Sequence, residues 1–199
     1  MQQSKHRSNR ERTETTRQAL LAAARALFVA KGYAETSTPE IVAAAGITRG
    51  ALYHHFEDKK ALFRALLETE ARKVAEEIEA AAPVDLAPVA ALEAGSQAYL
   101  EAMAVPGRTR LLLVEGPAVL GLKDMAALDA AHGARTLREG LEAALPRADR
   151  GALPLAELAQ ILSAAFDRAA LAVETGEDVA AYRAAITALI ARMVGAGGR

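Results

Sequence analysis

The stretch STPEIVAAAGITRGALYHHFEDKK, residues 37–60, decides how the chain folds. Its first residues, Ser37-Thr38-Pro39-Glu40, match the S/T-x-x-E capping box. Proline is tolerated in the first turn of a helix because the N–H that it lacks has no helical partner there. The pattern predicts a short helix over Thr38–Ala45. Gly46 follows directly and can take the positive φ that a sharp turn requires.

A second short helix is predicted over Thr48–Phe56, with Thr48 as its N-cap. Helical spacing divides its side chains into an apolar side and a polar side. The apolar side has Ile47, Leu52 and Phe56, and the polar side has Arg49, Tyr53 and His54. We therefore expect donors and an aromatic ring on the exposed side of this helix.

Two short helices around a tight turn match the geometry of a helix-turn-helix, whose second helix enters the major groove of DNA by its N-terminal residues. Arg49 is our candidate for reading a base edge, most simply guanine O6 and N7. Gly50 has no side chain to hold the backbone off the DNA. The predicted DNA contacts are Ser37, Thr38, Thr48, Arg49, Gly50, Tyr53, His54, His55 and Lys59. The alternative is that the two helices are a packing device and that Arg49 is solvated surface.

The same helical spacing continues on both sides of this stretch. Before it, an i, i+3, i+4, i+7, i+8 stripe predicts a helix that stops at Gly32. After it, Asp58 caps a predicted helix that runs to about Ala81. No segment has the Val/Ile/Tyr-rich alternation of a β-strand, so the chain is predicted to be all-α.

The second half of the chain predicts further helices separated by proline and glycine. An amphipathic helix is expected around Leu92–Met103 and ends before Pro106-Gly107. Leu111–Val114 is apolar on all sides, which predicts burial, and Gly116-Pro117 is expected to interrupt any helix there. The remaining predicted helices are a stretch at about Asp124–Leu145 and two alanine-rich helices at about Pro154–Glu174 and Glu177–Val194.

Composition limits the classes of protein to which the chain can belong. With 199 residues, 52% of them apolar, it is long enough to bury a core. Residues 1–62 carry 10 basic and 6 acidic side chains, whereas the remainder carries 14 and 19, so only the first part is suited to an anionic partner. Cysteine is absent, and no signal peptide or membrane span is visible. We expect a cytoplasmic protein without a membrane partner.

The helix-turn-helix and its flanks resemble the DNA-binding domain of the TetR (tetracycline-repressor-like) family over residues 13–67. The matching positions include Leu27-Phe28, Gly32-Tyr33, Thr36-Ser37, Ile41, Ala45-Gly46-Ile47-Thr48, Gly50, Leu52-Tyr53, His55-Phe56, Lys59 and Leu62. The L-Y-x-H-F-x-x-K spacing is the most specific part of the match. Residues 106–121 and 129–133 resemble, more weakly, an effector domain found in some members of that family.

This resemblance implies an all-helical homodimer of about nine helices, in which the last two helices, about 154–194, form a four-helix interface. It also implies that the middle helices enclose a pocket for an inducer. The expected domains are a disordered basic arm (1–11), a helix-turn-helix domain (12–57), a connecting helix (58–81) and an effector-binding and dimerisation domain (82–199). The alanine-rich faces agree with an interface, although tight packing inside a monomer would explain them too.

The lining of the pocket is predicted from apolar residues with a few polar groups among them. The candidates are Gln97, Tyr99, Met103, Leu112, Glu115, Phe166 and Asp167. Each of them would also serve as plain core or surface. Because few aromatic residues follow Tyr53, an aliphatic or mixed ligand is favoured over a flat aromatic one. Glu115 would suit a cationic ligand unless Arg108 or Arg110 pairs with it.

We predict a sequence-specific DNA-binding repressor that a small-molecule effector releases from a palindromic operator. No phosphate-binding loop, zinc-protease motif or serine elbow is present, and His54 and His55 diverge by about 100° on a helix, so no enzyme, cofactor or metal is expected. Two alternatives remain open. One is a helical enzyme or ligand-binding protein whose N-terminal fold is vestigial, and the other is a protein that coats DNA of any sequence.

Overall fold

The structure is a computed structural model that describes residues 9–83, 85–145 and 154–195. These residues form ten α-helices and one π-helix and contain no β-strand, so the predicted all-α fold is confirmed. None of their helices is both long and apolar enough to cross a membrane. The chain divides into two compact units, an N-terminal unit of residues 1–67 and a C-terminal unit of residues 68–199.

Three helices and the start of a fourth make up the N-terminal unit. They are α1 (Asn9–Lys31), α2 (Thr38–Ala45), α3 (Arg49–His55) and α4 (Lys59–Ala81), which continues across the boundary into the C-terminal unit. Of the predicted disordered arm, residues 1–8 lie outside the described residues. The prediction is wrong for residues 9–11, because they form the first turn of α1.

The ends of α2 confirm the capping box and the glycine turn. Ser37 Oγ accepts a hydrogen bond from the backbone N–H of Glu40, and the Glu40 carboxylate accepts one from the backbone N–H of Ser37. A hydrogen bond from Lys31, together with those from Ser37, lowers the pKa of Glu40 to about 2. Gly46 then adopts the left-handed conformation at φ 65° and ψ 31°, and its N–H donates to the carbonyl of Ala43. Local residues therefore fix both ends of this helix.

Large side chains from all four helices fill the core of the N-terminal unit. The fully buried apolar residues are Leu20, Ala24, Phe28, Ile41, Leu52, Leu62, Phe63 and Leu67. Phe28 and Phe63 meet edge to face with their ring centroids 5.1 Å apart, and Tyr33 packs 4.9 Å from Phe63. Aromatic pairs at these separations add to the stabilisation from buried area. This cluster joins α1 to α4.

The C-terminal unit adds six α-helices and the π-helix. They are α5 (Pro88–Met103), the π-helix (Arg110–Glu115), α6 (Gly116–Leu120), α7 (Leu122–Ala131), α8 (Gly133–Ala144), α9 (Leu155–Glu174) and α10 (Val179–Gly195). The expected continuous stretch over 124–145 is wrong, because His132, at φ −126° and ψ −89°, separates α7 from α8. The number of α-helices in the described residues therefore rises to ten.

The prediction that Gly116-Pro117 interrupts any helix in this segment is wrong. Pro117 lies in the first turn of α6, and α6 follows the π-helix directly. Gly116 packs so closely on α7 that an added Cβ would lie 2.9 Å from the Met125 sulfur. The predicted burial of residues 111–114 holds for Leu111 and Leu112, but Val114 is exposed. The segment thus has one buried side, as an ordinary helix does.

A buried ion-pair network links α4 to the chain before the π-helix. Arg108 is buried, and its Nε lies 3.2 Å from Glu70 Oε2, while Nη1 lies 3.0 Å from Glu77 Oε1. Nη1 also donates to the carbonyl of Ala102 at 2.6 Å. Because Glu70 is fully buried, its charge requires such partners. These contacts fix the position of Arg108 against α4.

Replacing Gly46 with alanine should destabilise the protein by about 1 to 2 kcal/mol, because an L-residue is disfavoured in the left-handed region. Gly50→Ala is the matched control: Gly50 is inside α3, nothing lies within 4 Å of an added Cβ, and alanine is the better helix former. Urea unfolding should show the first variant weakened and the second unchanged or strengthened. Equal effects of the two variants would contradict the assigned role of Gly46.

Candidate functional site

The short helix α3 has one buried side and one exposed side. Leu52 is fully buried and Phe56, which follows the last helical residue, is 6% exposed. Arg49 and His54 are exposed, and Tyr53 is 44% exposed, which is high for a large aromatic residue. The predicted division of this helix into an apolar and a polar side is confirmed.

Exposed polar groups also surround the start of α3. Thr48 Oγ1 caps the helix by accepting a hydrogen bond from the N–H of Ala51 at 3.2 Å. The Arg49 guanidinium carbon lies 5.5 Å from the centre of the Tyr53 ring, so the two side chains share one surface. Gly50 is exposed and has open space where a side chain would stand. This surface combines a planar cation, an aromatic ring and an accessible backbone.

The C-terminal end of α3 lies beside Arg17 of α1, which we did not predict as a DNA contact. His55 is half-buried, and its pKa is lowered by burial and by the nearby charges of His54 and Arg17. The Arg17 guanidinium carbon also lies 5.6 Å from the Phe56 ring centre. Arg17 has no signal in the sequence because 38 residues separate it from His55, and packing alone brings the two together.

Lys59, a predicted phosphate contact, also makes contacts inside the N-terminal unit. Its ammonium group donates to the carbonyl of Tyr33 at 2.8 Å and of Thr36 at 2.9 Å, and lies 4.1 Å from the centre of the Tyr33 ring. These internal acceptors use two of its three N–H donors. Lys59 therefore holds the loop between α1 and α2 against the start of α4, which leaves one N–H donor, and its contact with DNA stays a prediction. Ser37 is exposed and Thr38 half-buried.

Within the C-terminal unit, two cavities lie among the middle helices. The larger encloses about 530 Å³, and four of the predicted pocket residues line it: Tyr99, Met103, Leu112 and Asp167. The smaller encloses about 360 Å³ and is lined by Tyr99 and by the predicted Phe166. Both volumes are within the range of small-molecule sites. Tyr99 and Gly133 line both cavities.

Two predicted pocket residues, Gln97 and Glu115, do not line either cavity. The Gln97 side-chain amide donates to Thr187 Oγ1 at 3.0 Å, which ties α5 to α10. Glu115 lies 2.9 Å from Arg110 Nη2 in an ion pair. Both side chains are thus used in contacts within the unit, and a lone Glu115 facing a cation is not what the structure contains.

The larger cavity has one polar wall, formed by residues of α5, α7 and α9. Tyr99 Oη donates to Asp167 Oδ1 at 2.5 Å. Asp129, which we did not predict, accepts hydrogen bonds from Ser163 Oγ at 2.9 Å and from the backbone N–H of Ala134 at 3.2 Å. Residues 129–133 weakly resemble an effector domain of some family members, but nothing in the sequence indicated that the Asp129 side chain faces a cavity.

Burial raises the pKa values of the acidic side chains and of the tyrosine in this wall. Loss of solvent and the nearby Asp129 raise the pKa of Asp167 to about 6, against a partial lowering by the Tyr99 hydrogen bond. Burial also raises the pKa of Asp129. Burial and the Asp167 charge raise the pKa of Tyr99 well above its ordinary value, so Tyr99 stays a neutral donor. Both carboxylates therefore carry a charge that the fold stabilises poorly.

Comparison with known families covers most of the chain. Residues 20–66 match the family model described as bacterial regulatory proteins, tetR family. Residues 89–197 match the model of the tetracyclin repressor-like C-terminal domain. The first range includes α3, and the second includes most of α5 and all of α6 to α10, while the cavity-lining part of α4 lies between the two ranges.

Individual relatives match over different lengths. The HTH-type transcriptional regulator AcrR of Shigella flexneri is 37% identical over 108 residues, which is 54% of this chain and 50% of the relative. The repressor BepR of Brucella suis is 44% identical over 52 residues, which is 26% of this chain and 25% of the relative. The chain thus spans half or less of these curated relatives. A solved TetR-family transcriptional regulator from Pectobacterium atrosepticum is 31% identical, with a TM-score of 0.68 over 94% of this chain and 95% of that chain.

Asp167→Asn should make the protein more stable at pH 7.5, by at most about 3 kcal/mol, because it removes a buried charge and keeps an acceptor for Tyr99. The pKa of Asp167 is higher in the folded than in the unfolded chain, so its ionisation penalises folding above about pH 6 and not below about pH 4. The advantage of the variant should therefore disappear as the pH falls from 6.5 to 4.

Urea unfolding at several pH values measures this difference. Glu174→Gln, on the same helix but exposed, serves as the control and should show no such pH dependence. A stability difference for Asp167→Asn that stays constant between pH 4 and 7.5 would show that its charge is not penalised in the folded protein.

Proposed function

The chain belongs to the tetR family of bacterial regulatory proteins, and from this premise we propose that it is a transcriptional repressor that binds operator DNA as a homodimer. The observation that carries the proposal is the outward side of α3, where Arg49, Tyr53 and His54 meet solvent. Leu52 anchors the helix from behind. A short helix held in this way can enter a major groove without losing its own core contacts.

Arg49 is proposed to read a base edge. Its planar guanidinium has paired donors that match guanine O6 and N7, and one such contact discriminates by about 1–3 kcal/mol. Gly50 lets the backbone come close to the DNA, since its surroundings are open and demand no glycine for packing. The proposed phosphate contacts, which set register rather than sequence, are Ser37, Thr38, Thr48, Tyr53, His54, His55, Lys59 and the newly identified Arg17.

Dimerisation is proposed to use α9 and α10, as the family resemblance implies for about 154–194. Ile161 on α9 is 68% exposed and Leu189 on α10 is 42% exposed, which leaves large apolar side chains in water. The alanine face of α10 is also exposed, at Ala181, Ala184, Ala185 and Ala188. Small residues permit close helix packing, and a two-fold axis would place two recognition helices about 34–36 Å apart, in successive major grooves.

We further propose that the cavities of the C-terminal unit receive a small-molecule effector that releases the operator. Ala71 and Val74 of α4 line the larger cavity, so a ligand there would contact the helix that continues into the N-terminal unit. The ligand must bind better to the state that does not fit the operator, because equal affinity for both states shifts nothing. The proposal requires binding alone and no catalytic step.

Arg49→Ala should abolish discrimination between the preferred duplex, selected from a random library with the unchanged protein, and a scrambled duplex of the same composition. We expect about a 10- to 100-fold loss of affinity for the preferred duplex. Fluorescence anisotropy at one fixed salt concentration measures both affinities.

Two variants separate base reading from charge. Arg49→Lys keeps the charge but lacks the paired donors, so it should also lose discrimination while it retains affinity for scrambled DNA. Arg72→Ala removes an exposed arginine of the C-terminal unit and should leave discrimination intact. If the unchanged protein itself binds both duplexes equally, with an affinity set by salt alone, a DNA-coating function replaces the repressor.

The double substitution Ile161→Glu and Leu189→Glu should convert the dimer to a monomer, because it places charge on a face proposed to be buried between two copies. Analytical ultracentrifugation measures the mass, and circular dichroism checks that the helices remain. Val114→Glu, at an exposed apolar residue of the π-helix, is the control and should stay dimeric. A double variant that keeps the mass of a dimer would place the interface elsewhere.

A further inference from the structure

The larger cavity of the C-terminal unit combines an apolar lining with charge of one sign. Of its 19 lining residues, the charged ones are Asp129 and Asp167, and the other polar side chains are Tyr99 and Gln160. No lysine, arginine or histidine lines it. A ligand in this space would therefore meet apolar carbon on most sides and negative charge on one.

No lysine or arginine in the described part of the chain pairs with the carboxylates of this wall, and the charge of His132 lowers the pKa of Asp129 only against the larger effect of burial. Asp167 accepts one hydrogen bond, from the neutral Tyr99, and Asp129 accepts two, from a hydroxyl and a backbone N–H. No salt bridge among the described residues includes either carboxylate. An ionised carboxylate that is removed from water without a cation costs folding free energy. The raised pKa of each group is a consequence of the same arrangement.

Two other acidic side chains of the same unit that are largely removed from solvent have cationic partners. Glu70, fully buried, pairs with Arg108 and Lys73, and Glu115, 11% exposed, pairs with Arg110. The fold thus supplies a cation where a buried acid belongs to the structure. At Asp129 and Asp167 it supplies a cavity instead.

We infer that this cavity binds an amphipathic organic cation, with an ammonium group against Asp167 and Asp129 and an apolar body among the surrounding side chains. Val74, Met103 and Leu112 are placed to cover that body. The ring of Tyr99, whose centroid lies 5.8 Å from that of Phe166, offers a face for the cation beside the carboxylate. A bare metal ion is not favoured, since no three metal-binding side chains converge in the described residues.

The inference rests on the proposed function only in its consequence, that such a cation releases the operator. Binding itself is tested on the full-length protein by isothermal titration calorimetry, without DNA. The probes are decyltrimethylammonium, decanol and decyl sulfate below their micellar concentrations, which share a chain and differ in charge. The cation should bind about 10-fold or more tightly than decanol, because it is attracted to the two carboxylates and to the Tyr99 ring, and decyl sulfate should bind more weakly than both.

Asp167→Asn should lower the affinity for decyltrimethylammonium about 10-fold and leave decanol unchanged. Asp129→Asn should act in the same direction, and Glu174→Gln, exposed on the same helix, should have no effect. Circular dichroism establishes that each variant is folded. Equal binding of the three probes, or cation binding that is indifferent to both aspartates, would overturn the inference.

A displacement experiment with DNA tests this inference separately from the proposed function. Decyltrimethylammonium, but not decyl sulfate, should displace the selected duplex from the unchanged protein. If the cation binds through the aspartates and the duplex stays bound, the ligand class stands and its regulatory consequence is rejected. If the duplex binds specifically and no probe prefers positive charge, the repressor proposal stands and the ligand class is rejected.

Discussion

The burial of Leu52 determines which side of α3 meets solvent, and the proposed DNA-reading surface depends on this one contact. A helix of seven residues is too short to be stable in water, so its orientation comes from the core beneath it. Phe56 adds a second anchor at the end of the helix. With this side fixed, helical geometry places Arg49 and Tyr53 on the opposite side. The reading surface is thus a consequence of core packing rather than of a preference of its own residues.

The N-terminal unit secures this arrangement with contacts that are themselves polar. Lys59 binds the carbonyls at Tyr33 and Thr36, and Glu40 holds the start of α2 through Ser37. Lys59 thereby satisfies two carbonyls of the loop between α1 and α2, and Ser37 with Glu40 satisfies backbone N–H groups at the start of α2. Cations near the proposed DNA surface therefore divide into those that also hold the fold, such as Lys59, and those that remain free to meet phosphate or base.

The C-terminal unit contains a buried carboxylate that is paired with a cation and another carboxylate, beside a cavity, that is not. Arg108 neutralises Glu70 with good geometry, and this pair positions α4. Asp167 instead keeps a charge beside an open volume, which costs stability twice, through lost solvation and through the absence of packing atoms. A site for an organic cation needs an acidic group and an unfilled volume before the ligand arrives. The arrangement does not stabilise the fold, and it agrees with the proposed binding of a cation.

The sequence by itself determined the features that act over a few residues. The capping box at Ser37, the turn at Gly46 and the two sides of α3 depend on backbone geometry and on helical spacing, which are written in neighbouring residues. Only the tertiary structure decided the rest: the internal role of Lys59, the break at His132, and the meeting of Tyr99 with Asp167, 68 residues apart. Contacts of this kind depend on how separate helices pack, and a local pattern contains no information about which distant side chain completes a hydrogen bond or leaves a cavity open.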